Sequence, residues 1–319
     1  MSEINASSIA NKKLYSAFGL RISSDIELPE LLFMGEHSHN ETVDAVIELA
    51  DLTDIINEFE PGKYYYYKDD YVLIVLPDTA SYRIVNGQRI QVMPVAGVDA
   101  RDYRIYLLGV CAAILLFQRR TVPLHGSSVI IDGKAYAIVG DCGAGKSTLA
   151  AAFLREGYKL LSDDIVAVTI DEKTGTPIAH PGFPQQKLWQ QSLNYFSMES
   201  DQYKQVMVDM DKYSIPVMEQ FHKESLPLAG IFELDKADIV SVSIKPLTHL
   251  ERIQLFQYHT YSVELLSNMG LEQWHFSFAA NTAFVVPFYQ LRRPAIGFSA
   301  PSLVNEILHT VSKGEVVSR

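Results

Sequence analysis

Short apolar runs broken by turn residues fill the first hundred positions of the chain, and longer apolar runs follow. Residues 14–22 and 45–49 predict strands. So do 64–67 and 71–76, where aromatic and β-branched side chains favour a pleated, half-buried surface. Residues 81–85 and 88–92 flank Asn86-Gly87, a dipeptide suited to a two-residue hairpin because both positions accept positive φ. The tyrosine run at 64–67 is read as packing on a sheet rather than as a ligand platform. The polar start, to about residue 13, predicts a frayed end.

Beyond residue 100 the pattern changes. Residues 102–120 read as a helix with Gln118-Arg119-Arg120 at its C-terminus, where cations suit the helix dipole. Residues 127–131 and 134–139 flank Asp132-Gly133, a second two-residue hairpin signal. A helix over 148–156 stops at Gly157, and residues 165–168 follow as a strand. Pro181-Gly182-Phe183-Pro184 begins a loop in which Lys187 reads as a surface lysine. The polar stretch 190–225, with four methionines, reads as helix and mobile loop, a lid or peptide-docking region. Strands over 229–234, 239–244 and 284–289 and helices over 247–258 and 302–311 complete the pattern. The expected architecture is α/β: a β-rich domain over residues 1–100 and an α/β domain over 101–319.

Composition narrows the class. A chain of 319 residues, 48% of them hydrophobic, suits about two domains with packed cores. A net charge of −11 disfavours a nucleic-acid partner, which needs a basic face to displace counterions. Only Cys111 and Cys142 are present, so a disulfide framework is excluded and a reducing cytoplasm fits. The start has neither the basic nor the apolar segment of a signal peptide, and the uncharged run 105–117 is too short to span a bilayer. No membrane partner is expected.

The strongest motif is Gly140-Asp141-Cys142-Gly143-Ala144-Gly145-Lys146-Ser147-Thr148, a G-x-x-x-x-G-K-S phosphate-binding loop between a predicted strand and a predicted helix. Its glycines let backbone N–H groups turn toward a phosphate, and the helix N-terminus adds partial positive charge. Lys146 is placed to reach the β- and γ-phosphates, and the Ser147 hydroxyl to ligate Mg²⁺. Pairing through Asp132-Gly133 sets 131 opposite 134 and, further down the ladder, His125 opposite Gly140. Ser162-Asp163-Asp164 ends a short strand after the next helix, where open α/β sheets place their ligands. Adjacent strand residues face opposite ways, so only one of the two aspartates is expected to be a base.

The string Leu124-His125-Gly126, the loop 140–148, Arg155-Glu156-Gly157 and Leu161-Ser162-Asp163-Asp164 resembles the HPr kinase/phosphorylase family. The resemblance implies the P-loop kinase fold shared with phosphoenolpyruvate carboxykinase. It implies ATP and Mg²⁺ as cofactors, and a peptide or small protein with an acceptor Ser as partner. It matches His125, Lys146, Ser147 and Asp164 to the family's active-site His, P-loop Lys, Mg²⁺-binding Ser and catalytic Asp. Asp163 is the candidate beside them for Mg²⁺, directly or through water. The family's Glu-x-Arg-Gly loop has no counterpart here. Phe18-Gly19-Leu20, Leu28-Pro29-Glu30-Leu31, Pro181-Gly182-Phe183-Pro184 and Lys187-Leu188-Trp189 resemble a divergent branch that includes kinases of lasso-peptide precursors, acting on a C-terminal Ser. An HPr-directed regulator, an NTPase without a peptide acceptor and a nucleotide-binding module are the alternatives. Assembly with further copies of the chain stays open.

Overall fold

The computed structural model describes residues 12–36, 42–207 and 210–317. The frayed start expected from the sequence falls, up to residue 11, outside these. The chain divides into two compact units, Met1–Arg119 and Arg120–Arg319. The segment after residue 100 therefore belongs to the first unit, not to the second as the sequence suggested. It forms helices over Ala100–Tyr106 and Ala112–Gln118, joined by one π-helical turn at Leu107–Cys111. The reason is packing within that unit. Ile114 and Phe117 are fully buried, and the buried Tyr82 hydroxyl donates to the Tyr103 carbonyl at 2.7 Å.

The first unit carries one eight-stranded mixed sheet. Its strands are β1 (Lys13–Ala17), β2 (Leu20–Ser24), β3 (Leu32–Glu36), β4 (Ala45–Leu49), β5 (Tyr65–Tyr67), β6 (Tyr71–Leu76), β7 (Ala80–Val85) and β8 (Arg89–Pro94). The single strand expected over 14–22 is instead the β1–β2 hairpin, turned at Phe18 and Gly19 with φ of 58° and 75°. Phe18 tolerates this rare conformation because its ring is buried, at 3% exposure.

The second unit is built on β9 (Val122–Ile131), β10 (Lys134–Val139), β11 (Lys159–Ser162), β12 (Ile165–Ile170), β13 (Pro177–His180), β14 (Gln185–Trp189), β15 (Lys204–Gln205), β16 (Lys212–Pro216), β17 (Leu226–Ala237), β18 (Ser243–Pro246) and β19 (Phe288–Pro294). Strands β10, β17 and β19 run parallel in the order β10–β17–β19. Both faces are covered, which is why these strands read as continuous apolar runs. Tyr136, Ile138, Phe232 and Leu291 join the core that includes residues of helices α1 (Lys146–Arg155) and α2 (Ala300–Val317). Ala137, Val139, Ile231 and Phe288 alternate to the other core, with residues of α3 (His249–Tyr258) and α4 (Glu272–Val285).

The pairings in this unit form a circuit: β10 with β9, β9 with β12, β12 with β13, β13 with β17, and β17 back to β10. The stretch 190–225, expected as helix and loop, contributes instead to a three-stranded sheet in the order β14–β16–β15. Among the described residues there, only Gln190–Tyr195 is α-helical. Among the described residues, no helix is long and apolar enough to cross a membrane.

Candidate active site

The β9–β10 turn has the geometry its sequence demands, with Asp132 and Gly133 at φ of 49° and 74°. The ladder runs without a shift from Lys134↔Ile131 to Val139↔Gly126 and ends one residue short of the expected His125–Gly140 pair; His125 pairs instead with Ile165 of β12. The glycine-rich loop leaves the C-terminal end of β10 and enters α1 at Lys146. At Gly140, φ is 149° and a Cβ would lie 2.4 Å from the Leu234 carbonyl oxygen. Gly145, at φ of 110°, gives the left-handed entry to the helix. Lys146 Nζ donates to the carbonyls of Gly140 at 2.7 Å and Asp141 at 3.1 Å. The ammonium thus folds back over its own loop, and burial lowers its pKa.

The two aspartates lie in a bend between β11 and β12, not on a regular strand end. Ser162 pairs with Ser128 on one side of the bend and Ile165 with His125 on the other. Asp164 takes φ of 73°, a left-handed conformation that Asp tolerates better than most residues. This turn, rather than strand alternation, separates the two carboxylates. Asp163 is buried. Its Oδ1 accepts from Ser127 Oγ at 2.5 Å and its Oδ2 from the Lys187 amide at 2.9 Å. The Ser147 hydroxyl is a further hydrogen-bond partner of that carboxyl.

Asp164 Oδ2 accepts from Lys187 Nζ at 2.6 Å, and His125 Nδ1 lies 3.8 Å from its Oδ1. Lys187 is therefore not the surface lysine the sequence suggested. Its side chain is 15% exposed and it engages both carboxylates. The two neighbours are driven in opposite directions. Burial raises the pKa of Asp163 against its hydrogen bonds. At Asp164 burial also pushes upward, but the Lys187 ammonium overcomes it and holds the carboxyl well below the usual range. Burial, with Lys146 nearby, lowers the pKa of His125, so its imidazole is neutral at pH 7.

His125, Lys146, Ser147, Asp164 and Lys187 share a cleft of about 660 Å³ with Lys212, Lys236 and Arg293, and Asp163 is buried behind its lining. Lys236 at the end of β17 and Arg293 at the end of β19 reach over the loop. A Gly143 Cβ would sit 4.0 Å from Lys236 Nζ, and Arg293 Nε donates to the Ala144 carbonyl at 2.9 Å. Sequence reading missed these three cations. Only the position of Arg293 beside a predicted strand end offered a signal. Of the loop residues, Cys142 is exposed and the Asp141 carboxylate accepts from the Tyr258 hydroxyl at 3.1 Å. Thr148 Oγ1 bonds Ser192 Oγ at 2.7 Å.

The chain is 30% identical over 165 residues to HPr kinase/phosphorylase of Limosilactobacillus reuteri, covering 48% of this chain and 50% of that protein. It is 39% identical over 56 residues to HPr kinase/phosphorylase of Mycoplasmopsis pulmonis, 18% of each chain. The homology is distant. The chain spans about half the length of the first of these relatives. No family model matches the chain. Among solved structures, the Hpr(Ser) kinase/phosphatase from Coxiella burnetii aligns over 60% of this chain and 97% of that one, with a TM-score of 0.34 and 11% identity.

Proposed function

We propose that this chain is an ATP- and Mg²⁺-dependent serine kinase whose acceptor is the C-terminal Ser of a ribosomal precursor peptide of the lasso type. One observation carries the kinase reading. A P-loop lysine, a P-loop serine beside a buried carboxylate, and a second, ionised carboxylate converge in one cleft. At Gly143 and Gly145 the loop backbone is open, with no atom nearer than 3.6 Å to where a Cβ would lie, and a side chain at their positive φ would be strained; this leaves the loop's N–H groups accessible to a phosphate. Among the described residues, no three His, Cys, Asp or Glu side chains group as metal ligands. A Ser hydroxyl and one carboxylate nevertheless suit Mg²⁺, which takes its remaining oxygens from phosphates and water. Ser147 and Asp163 would hold it, and it would supply charge neutralisation on the phosphates.

The protein's own groups do the rest. Lys146 exchanges its loop carbonyls for phosphate oxygens and balances charge on the leaving group. Asp164 accepts a hydrogen bond from the acceptor hydroxyl and aligns it with the γ-phosphorus. Held so far down by Lys187, it is a weak base, so it chiefly orients the oxygen. The proton passes to it as the Ser O–P bond forms and the bond to the β-phosphate oxygen breaks. Phosphoryl transfer through a loose transition state asks little more than this positioning. Neutral His125 supports Asp164 or donates to the transferring group.

The cations Lys187 and Lys212 beside Asp164 support an acceptor Ser that carries its own terminal carboxylate. The relatives' names favour a second reading, in which the small protein HPr is the acceptor. Incubation of the full chain with ATP, Mg²⁺ and either a lasso-type precursor peptide or HPr, read by mass spectrometry, separates them. Phosphorylation of the peptide's last Ser, absent with Lys146→Ala, is the expected result. A phosphoryl adduct on HPr alone selects the second acceptor. ATP turnover without an adduct on either selects an NTPase.

A further inference from the structure

The cleft does not end at the phosphate loop. Its far wall includes Tyr195 and Phe298, whose rings stack with centroids 4.4 Å apart and planes at 16°. Phe196 meets Phe298 edge-on at 5.6 Å and is itself buried. Arg155 braces Phe196 by donating to its carbonyl at 2.6 Å and lying over its ring at 4.7 Å. The stacked pair, so supported, still leaves Tyr195 45% and Phe298 37% exposed. Aromatic rings held in place yet half open are costly for a core and well suited to a planar ligand.

Both rings are tied to the phosphate loop. Thr148, in the first turn after the loop, bonds Ser192, one helical turn before Tyr195. Arg293 bonds the Ala144 carbonyl within the loop, and its chain runs on five residues to Phe298. The Tyr195 phenol is close enough to influence the Arg293 guanidinium. The rings, the loop and the first turn of α1 thus line one continuous cavity.

We infer that Tyr195 and Phe298 form a stacking platform for the purine base of the nucleotide whose phosphates lie on the 140–148 loop. The inference rests on the nucleotide-binding part of the kinase reading and extends it to base recognition. Stacking offers a π-face without a donor–acceptor pattern, so adenine and guanine are accepted alike. Phosphate affinity comes from the loop and the cations, and base affinity from the rings, as two separable contributions.

The test is calorimetric titration of the full chain with ATP·Mg²⁺, GTP·Mg²⁺ and inorganic tripolyphosphate·Mg²⁺. Phe298→Ala is expected to weaken ATP and GTP by about 5- to 150-fold, the scale of one lost base–aromatic stack, and to leave tripolyphosphate within twofold. Phe298→Tyr, which keeps a ring at the position, restores nucleotide affinity. Tyr195→Leu repeats the loss in a second variant, guarding against a folding defect peculiar to one site. Unchanged ATP affinity in both Phe298→Ala and Tyr195→Leu overturns the platform while leaving the kinase reading intact. So does an equal loss for ATP and tripolyphosphate. Failure of the folded wild type to bind either ATP or tripolyphosphate overturns the nucleotide reading, and the platform with it.

Discussion

Lys187 donates to Asp164 through its ammonium at 2.6 Å, while its own backbone N–H donates to Asp163 at 2.9 Å. One residue of β14 thus fixes two adjacent carboxylates in the bend between β11 and β12. Removing the ammonium by Lys187→Met leaves Asp164 largely buried without its cation. Stability is expected to fall by about 1–3 kcal/mol, the cost of stranding such a group. Adding Asp164→Asn should recover most of that loss, because no charge is then left unpaired. Urea unfolding of the two single variants and the double variant checks this as a double-mutant cycle. Strictly additive losses would show that the two side chains are not coupled.

The aspartates are expected to respond differently to metal. On the proposed kinase reading, Asp163→Asn removes an Mg²⁺ ligand beside Ser147. Raised Mg²⁺, or Mn²⁺, should therefore restore part of its phosphotransfer. Asp164→Asn should stay inactive, since added metal cannot orient the acceptor or take its proton. Kinase rates titrated against each metal give the comparison. Equal rescue of both variants would mean that the roles are wrongly divided.

His125 Nδ1 lies 3.8 Å from Asp164 Oδ1, beside Gly126, the β9 partner of Val139 at the end of β10. His125→Ala is expected to lower kcat by about 10²–10⁴, the range for a positioned acid–base group. ATP affinity should change less, because the loop amides and Lys146 remain. Turnover per folded molecule, taken beside a thermal melt, distinguishes this from a packing role. A lower Tm with normal turnover would assign His125 to structure alone.

A pH effect on stability is expected at His275, which the lining of the cleft does not include. His275 is buried, bonds Thr260 Oγ1 at 2.8 Å, and burial pushes its pKa from 6.5 down to about 4. The unfolded chain therefore takes up this proton first as pH falls. Stability is full above about pH 6.5, declines toward pH 4, and is lost below that by on the order of 3 kcal/mol. The difference between wild-type and His275→Gln melts across this window isolates the contribution. Parallel curves would refute it.

Where the determinants are local, the sequence was readable. The Asp132-Gly133 turn, the unshifted β9–β10 ladder and the helix that begins at Lys146 all depend on a few consecutive residues, and each stands where its pattern implied. What was illegible depends on distant partners. Lys236 and Arg293 reach the loop only because β17 and β19 run parallel to β10 and end at the same edge. Lys187 looked like a surface residue because nothing near it in the chain reveals Asp164 as its partner. Phe18 occupies a turn position that its propensity opposes, and burial of its ring decides the matter. The apolar run after residue 100 is legible as helix, but its unit is not, because its apolar face does not say which sheet it covers.

The circuit of pairings from β10 through β9, β12, β13 and β17 back to β10 makes alignment in the second unit a collective property. In an open sheet one strand can slide by a residue and disturb only its neighbours. Here the offsets must sum to a fixed value around the loop, so a slip of β10 along β9 requires a matching slip along β17. A residue inserted at Asp132-Gly133 is therefore expelled into the turn as a bulge rather than spread through the strands. The offset between His125 and the glycine-rich loop is held in this way by closure, where on a free hairpin a change in the turn would shift it.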